Sequence, residues 1–341
     1  MKVLMISGDP SIVNPRSEAC KRMEEYRKTL GGLDVLLAYG NIFRFIGAVF
    51  SGFKKLWHKK YDVITAQDVE HALLAWAFSK FFKVPFQMQI HADIFSHQFV
   101  ESSVLNKLRV ALAKFLIPRA DCIRVVSERI KLSLISNFQF LISNITALPI
   151  FVDIEKIRNA LIKTDLYKKY PGRFIILMAS RITKEKNIGL AIEAVGGLIT
   201  HPLSSLLLIV GNGPELESLK LKVQSEKLER NVKFEPHAPD LVSYYKTCDL
   251  FLLTSNYEGY GRTLVEAAAA GAKIVSSDVG IASEILESEC VFKVGDKSDL
   301  AEKLSSALNL KLPPPKPLVS QTKEDYLRLY KSSFEVCAHK K

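Results

Sequence analysis

The residue order predicts an α/β protein in which two doubly wound domains face each other across a central cleft. Three observations carry that expectation. Short apolar runs bounded by polar residues recur along the chain, as strands buried on both faces require. Helical stretches alternate with these runs, the order that builds a parallel sheet covered on both sides. The alternation also starts twice, at residues 3–7 and again at 174–180, on either side of a proline-containing segment at 147–157. A length of 341 residues suits two ordinary domains, 1–150 and 151–317, with a C-terminal segment beyond them.

Composition narrows the class. Hydrophobic residues make up 48% and charged residues 24%, which excludes a disordered chain. No apolar run reaches the roughly 18–20 residues that span a bilayer. The opening MKVLMIS is stopped by Gly8-Asp9-Pro10, so it resembles a first buried strand more than a signal peptide. Five cysteines, scattered and without a Cys-x-x-Cys, point to a reduced, cytoplasmic protein. The formal charge of +11 is uneven: residues 1–150 hold 20 Lys and Arg against 12 Asp and Glu, and residues 151–341 hold 27 against 24. The first half is therefore expected to meet something acidic. Nucleic acid is not the expected partner, since no basic and aromatic sheet motif is present.

In the first half, VLMIS (3–7) is the first strand. A charged helix at 17–30 ends at Gly31-Gly32, and 34–38 and 63–65 are further strands. HALLAWAFSKFF (71–82) reads as a buried helix and PFQMQIH (85–91) as a strand ending in His91. A strand at 121–126 precedes a helix at 127–135. Residues 41–60, NIFRFIGAVFSGFKKLWHKK, carry five aromatic rings and five Lys or Arg with no acid. Such a helix suits an anionic membrane interface, so peripheral attachment at the inner face of the plasma membrane is one expectation. The competing reading is a core-packing helix with solvated lysines, and it is the stronger one for the similar stretch at 104–119.

Pro149 closes the first half, and Asp153 is placed to cap the segment after it. Then FIILMAS (174–180) restarts the pattern, and a loop with Arg181 and Lys186 runs into a helix to 195. LLLIVGNGPELESL (206–219) is a strand, a turn with Gly211 and Gly213, and a helix; 231–234 is a short edge strand. LPPPKP (312–317) is a stiff spacer before an amphipathic helix at 321–336.

The most informative stretch is LFLLTSNYEGYGRTLVEAAAAGAKIVSSDVGIASEI (250–285). It reads as strand, glycine loop, helix and strand. A helix opening from a glycine loop offers free N–H groups and a positive dipole end to an anion. Glu258 in the loop and Glu266 two turns into the helix make poor phosphate clamps but good acceptors for sugar hydroxyls. A ligand carrying both phosphate and hydroxyl-rich parts is expected.

Glu258 and Glu266, separated by GYGRTLV and followed by AAAAG, resemble the signature of retaining family 4 glycosyltransferases with the GT-B fold. The resemblance implies two Rossmann-like domains and a C-terminal helix, 318–338, that crosses back to the first. It implies that Arg181 and Lys186 hold the pyrophosphate of a nucleoside-diphosphate sugar. Glu266 would then accept from the ribose, while Glu258 and the backbone of Gly259, Tyr260 and Gly261 lie near the donor sugar. His91 would stand beside the reacting centre, Gly211 and Gly213 would keep a turn open near the nucleotide, and Thr263 would lie at the helix start. The sequence departs from the family in five places, two of them Ile150-Phe151 where Asn-Gly usually follows the proline and Ile281 where a second glycine usually follows Gly280. Gly8 stands alone where a glycine pair is usual, Arg262 replaces an apolar residue, and His91-Ala92-Asp93 replaces His-Asp.

The implied activity is transfer of a sugar from a nucleoside-diphosphate sugar to a glycan or polyprenyl-linked acceptor, in the synthesis of a surface polysaccharide or glycoconjugate. No Asp-x-Asp and no His/Cys cluster suggests a metal, so a metal-independent reaction with no resident cofactor is expected. The alternatives are a catalytically silent sugar-nucleotide binding protein and a GT-B-fold sugar-nucleotide 2-epimerase.

Overall fold

Two six-stranded sheets, each parallel throughout, organise the described residues of this computed structural model: 1–40, 42–138, 144–197, 205–309 and 311–339. Asn41, the first residue of the basic aromatic stretch, lies outside them. The chain divides into two units, Met1–Phe151 with Thr322–Lys341, and Val152–Gln321.

The first unit holds β1 (Val3–Ser7), β2 (Leu33–Leu37), β3 (Val63–Ala66), β4 (Phe86–Ile90), β5 (Cys122–Val125) and β6 (Ile145–Ala147), in the order β2-β1-β3-β4-β5-β6. Its helices are α1 (Glu18–Leu30), α2 (Ile42–His58), α3 (Val69–Phe82), α4 (His97–Glu101), α5 (Val104–Leu116) and α6 (Glu128–Phe138). Ser17 starts α1 by accepting the Cys20 amide, and Gly31 at φ +83° stops it, a conformation that favours glycine. Every residue of β1, β3, β4 and β5 is buried, as parallel strands covered on both faces must be.

Some of those buried residues are polar. Thr65, Gln87, Gln89 and Arg124 project from β3, β4 and β5, each at most 3% exposed. Buried polar groups need partners, and the C-terminal helix, Lys323–Ala338, supplies them. Gln87 Nε2 donates to the Ser333 carbonyl at 3.0 Å, and Arg124 Nη2 to Tyr326 Oη at 3.3 Å. Tyr330 is fully buried and stacks on Tyr26 of α1 with centroids 4.0 Å apart. The helix therefore completes the sheet of the first unit.

That helix also overturns the expectation of five unpaired cysteines. Cys337 near its end is disulfide-bonded to Cys122 of β5, with Cα atoms 5.5 Å apart. Cys20, Cys248 and Cys290 are free. A separation of 215 residues hides this pair from any spacing rule. Only the return of the helix to the sheet makes them neighbours.

The second unit holds β7 (Phe174–Ala179), β8 (Ser205–Val210), β9 (Val232–Glu235), β10 (Leu250–Leu253), β11 (Ile274–Ser277) and β12 (Val291–Phe292), ordered β12-β11-β10-β7-β8-β9. Short helices α7 (Ile154–Asn159) and α8 (Leu166–Lys169) lead in, and Asp153 caps α7 through the Lys156 amide. After them come α9 (Ile188–Gly196), α10 (Leu216–Ser225), α11 (Leu241–Lys246), α12 (Arg262–Ala269), α13 (Ala282–Ile285) and α14 (Lys297–Leu308). From β7 the chain adds strands outward on one side and then, from β10, on the other. The strand order thus reverses between β7 and β10. In open α/β sheets a ligand crevice lies outside the carboxyl ends of strands at such a reversal. The first unit reverses in the same way between β1 and β3.

Under denaturing, non-reducing conditions the purified protein should titrate three thiols, rising to five after reduction. Five without reductant would refute the bridge. Cys337→Ser should lower unfolding stability by about 2–4 kcal/mol, the usual contribution of a cross-link closing a long loop, measured by denaturant titration.

Candidate active site

The loops after β7 and β10 meet at the reversal. Hydrogen bonds fasten them: Thr254 Oγ1 donates to the carbonyls of Lys186 and Asn187 at 2.9 and 3.0 Å. The Asn256 amide donates to the Glu185 carbonyl at 2.8 Å, and Asn187 Nδ2 to Asn256 Oδ1 at 3.0 Å. This fastening brings Lys186 Nζ within 2.5 Å of Glu258 Oε1, although 72 residues separate them. Both side chains are mostly buried, at 15% and 16% exposure. Ser255 Oγ donates to the same carboxylate oxygen at 2.8 Å. Arg181 is exposed, with its guanidinium 3.7 Å from Glu185.

Gly261 at φ +86° turns the loop into α12, and no side chain caps that helix. The Leu264 and Val265 amides donate to the Gly261 carbonyl, which leaves the amides of Arg262 and half-buried Thr263 as the first-turn donors for an external acceptor. Glu266 lies one turn into α12 rather than the two turns expected, since the helix starts only at Arg262. Its carboxylate accepts from Arg262 Nε at 2.7 Å and from Tyr245 Oη at 3.4 Å. Burial pushes the Tyr245 phenol well above its ordinary value, with the Glu266 charge adding to the shift, so it stays a neutral donor. Half-buried Gly259 and Tyr260 form the loop between, and the Tyr260 carbonyl accepts the Ile281 amide at 3.1 Å. Gly280 at φ +55° allows that contact, since a Cβ there would strike the Tyr260 carbonyl.

At the carboxyl edge of the first unit's sheet, Gly8 follows β1 and lies over the His71 ring, where a Cβ would not fit. His71 Nε2 lies 2.6 Å from the Ala38 carbonyl, and Nδ1 lies 3.3 Å from Asp68 Oδ2. Both ring nitrogens thus face acceptors, which favours the doubly protonated ring. Burial pulls the His71 pKa down, but the Asp68 bond, the Ala38 carbonyl and the Asp68 charge outweigh it, and the net shift is upward. Asp68 is held below its ordinary value, chiefly by His71. His91, just past β4, behaves oppositely. Burial, with the Arg124 charge adding, lowers its pKa to about 4, and Nε2 is buried without a hydrogen-bond partner. At neutral pH His91 is uncharged.

Residues 164–325 match the glycosyl transferases group 1 family, and residues 22–149 match the glycosyl transferase 4-like domain. The chain belongs to the family 4 glycosyltransferases. It is 29% identical over 229 residues to a glycogen synthase of Mycobacterium tuberculosis, covering 64% of this chain and 52% of that protein. It is 30% identical over 142 residues to the UDP-Gal:alpha-D-GlcNAc-diphosphoundecaprenol alpha-1,3-galactosyltransferase of Escherichia coli, covering 40% of this chain and 37% of that one. The chain thus spans about half the length of the first relative and less of the second. The crystal structure of Anabaena Alr3699/HepE with UDP and glucose shares the fold. Its TM-score is 0.70 at 20% identity, over 98% of this chain and 96% of that one.

Within this family 4 chain the second unit brings Lys186 and Glu258 together on neighbouring loops, with Arg262 and Glu266 paired on the helix that follows and Arg181 exposed in the loop after β7. Gly211 and Gly213 allow close backbone packing. A Cβ at either would strike the carbonyl of Ser180 or Ile182, so they let the turn after β8 pack onto the loop after β7. Arg262 is paired one helical turn along with Glu266. His91 and Gly8 belong to the other unit. Sequence reasoning missed His71 and Asp68: His71 opens an apolar helix, and its link to Gly8 spans the gap between two strand ends.

These shifts set a pH dependence. His91 in the folded state binds fewer protons than when unfolded between about 4 and its ordinary 6.5, so its contribution is present above that range and lost as pH falls through it. His71 contributes below its ordinary value and loses that contribution as pH rises through its raised one. Denaturant midpoints followed from pH 4 to 8 should fall on the acid side. His91→Gln should flatten that limb; an unchanged slope would count against a neutral His91.

Proposed function

We propose that this chain transfers a sugar from a nucleoside-diphosphate sugar to a glycan or lipid-linked acceptor, with retention of anomeric configuration. The Lys186–Glu258 pair at the strand reversal carries the reading. It sets a cation for a leaving diphosphate beside a carboxylate that accepts sugar hydroxyls, on loops fastened to each other. The UDP and glucose in the HepE crystals support a UDP-sugar as the donor class. The E. coli relative, named for a diphosphoundecaprenol-linked substrate, supports a lipid-linked acceptor.

Breaking the anomeric C–O bond places charge on the leaving diphosphate. Groups aimed at that charge lower the barrier because they need no reorganisation as the bond breaks. Lys186 has three N–H donors, so it can serve Glu258 and a phosphate oxygen at once. Arg181 adds a planar fork suited to bidentate contact. The uncapped start of α12 adds backbone donors. Glu266, oriented by Arg262 and Tyr245, is an acceptor for ribose hydroxyls. In the first unit His91 is neutral, so it brings no positive charge to the carboxyl edge of that sheet. No resident cofactor or metal enters this scheme. A cytoplasmic setting belongs to the same proposal, and the Cys122–Cys337 bridge gives a handle on it, since disulfides are rare in that compartment.

A thermal-shift screen with UDP-, GDP-, ADP- and dTDP-sugars identifies the donor, and product analysis then separates the readings. Release of a nucleoside diphosphate with a glycosylated acceptor or free sugar fits transfer. An epimeric sugar alone indicates the epimerase, and binding without turnover the silent protein. Lys186→Ala and Arg181→Ala should each lower turnover about 100–1000-fold, the scale for losing one charge-stabilising group. Wild-type rates in both folded variants would refute the assignment. Glu266→Gln should weaken nucleoside-diphosphate binding by about 1.5–3 kcal/mol, the scale of a hydrogen bond to a charged acceptor. Calorimetry showing unchanged affinity would remove Glu266 from the ribose site.

A further inference from the structure

The first unit carries an apolar face that the proposed reaction does not use. On α2, Phe43, Phe50 and Trp57 are 77%, 72% and 73% exposed, with Ile46 and Phe53 filling the intervals at 45% and 37%. These positions recur at spacings of three and four, so they form one stripe roughly 80° wide along the helix. The opposite side is already committed. Ala48 and Leu56 are buried, and Gly52 is a glycine where a Cβ would strike the Phe78 ring of α3. Phe53 packs edge-on against Phe78 and Phe81. The helix is therefore fixed on α3 and cannot roll to hide its rings. Phe81, 62% exposed, extends the patch onto α3.

Charge says what covers this face. Helix α2 contains Arg44, Lys54 and Lys55 and no acid, and Lys59 and Lys60 come directly after it. Lys59 reaches Asp34 at 2.9 Å and Lys55 the same residue at 4.0 Å, while Lys54 and Lys60 form no ion pair among the described residues. Around the helix axis, Lys54 lies at one margin of the apolar stripe, with Arg44 and Lys55 further round on the same side. A second copy of the chain is a poor occupant. A two-fold contact would press this acid-free helix against its own copy and oppose its cations. Rings standing out from a rigid helix with lysines at their margin match a bilayer: rings enter the acyl boundary while cations stay with anionic headgroups.

We propose that the exposed α2 face docks the first unit on an anionic lipid surface. Rings and lysines act together in reversible, salt-sensitive attachment. Docking is independent of the transferase reading, since a protein without turnover would bind vesicles equally well.

Co-sedimentation of the full chain with phosphatidylcholine vesicles, with and without phosphatidylglycerol, tests this. Binding is expected on the mixed vesicles alone, and it should weaken as salt shortens the screening length. Trp57 emission should shift to the blue on binding and be quenched by brominated lipid, and the quenching should vanish in Trp57→Tyr. Lys54→Glu with Lys60→Glu should reduce partitioning at least about tenfold. Phe50→Ser with Trp57→Ser should reduce it at unchanged net charge, which separates insertion from adsorption. All four side chains lie at the surface, so thermal unfolding of the variants should match wild type. Equal recovery on both vesicle types would overturn the proposal, as would recovery on neither. Salt-sensitive binding that ignores the Phe50 and Trp57 changes would also overturn it, as would a vesicle-free dimer that those changes dissolve.

Discussion

A single hydroxyl fastens the candidate site together. Thr254, fully buried at the end of β10, shares its one O–H between two successive carbonyls, those of Lys186 and Asn187. It can do so because β7 and β10 are adjacent strands from which the chain departs in opposite directions. Neither loop is long, and each is held at both ends by a buried strand or a helix. The fastening fixes where Lys186 can reach, and so determines that its partner is Glu258. The glycines serve the same geometry. Gly211, Gly213 and Gly280 sit where one backbone presses on another, so the loops pack without intervening side chains.

The first unit solves a different problem. Its central strands carry Thr65, Gln87, Gln89 and Arg124 on one face, residues that a sheet cannot bury alone. The C-terminal helix answers with Tyr326, Tyr330 and Ser333, and the Cys122–Cys337 bridge lies beside them. Arg124 is buried with carbonyl, amide and phenol partners: Leu148, Gln89 and Tyr326. Its charge helps hold His91 neutral. A helix far along the sequence thus sets the electrostatics of the rim where His91 lies.

Much of this is legible in the residue order. Buried parallel strands are continuous apolar runs, and β7, β8 and β10 stand out in the second half for that reason. The glycine loop with Glu258 and Glu266 is legible because a ligand site at a helix start needs those residue types within a few positions. What escapes depends on distance along the chain. The Cys122–Cys337 pair and the Gly8–His71 contact join residues that only strand order brings together. The buried glutamines of β4 look like ordinary strand polarity, with nothing nearby to name their partners. The basic aromatic stretch is ambiguous for another reason. Its periodicity suits burial on either side, and only the packing of Gly52 against Phe78 decides which side faces out.

Charge balance in the unliganded site explains why the first glutamate belongs there beyond any contact with sugar. Lys186 is too buried to be well hydrated, and an isolated ammonium there would carry a large desolvation cost. Glu258 compensates it at 2.5 Å, and Ser255 shares the same oxygen. Arg262 and Arg181 are exposed and hydrated, and their pairs with Glu266 and Glu185 orient them rather than offset burial. The buried ammonium is thus tolerable before any anion arrives. Because an ammonium has donors to spare, adding a phosphate need not displace the carboxylate. Under the proposed function a diphosphate would meet cations already in position. The second oxygen of Glu258 would then accept a sugar hydroxyl, so that one ion pair would serve both ends of a sugar nucleotide.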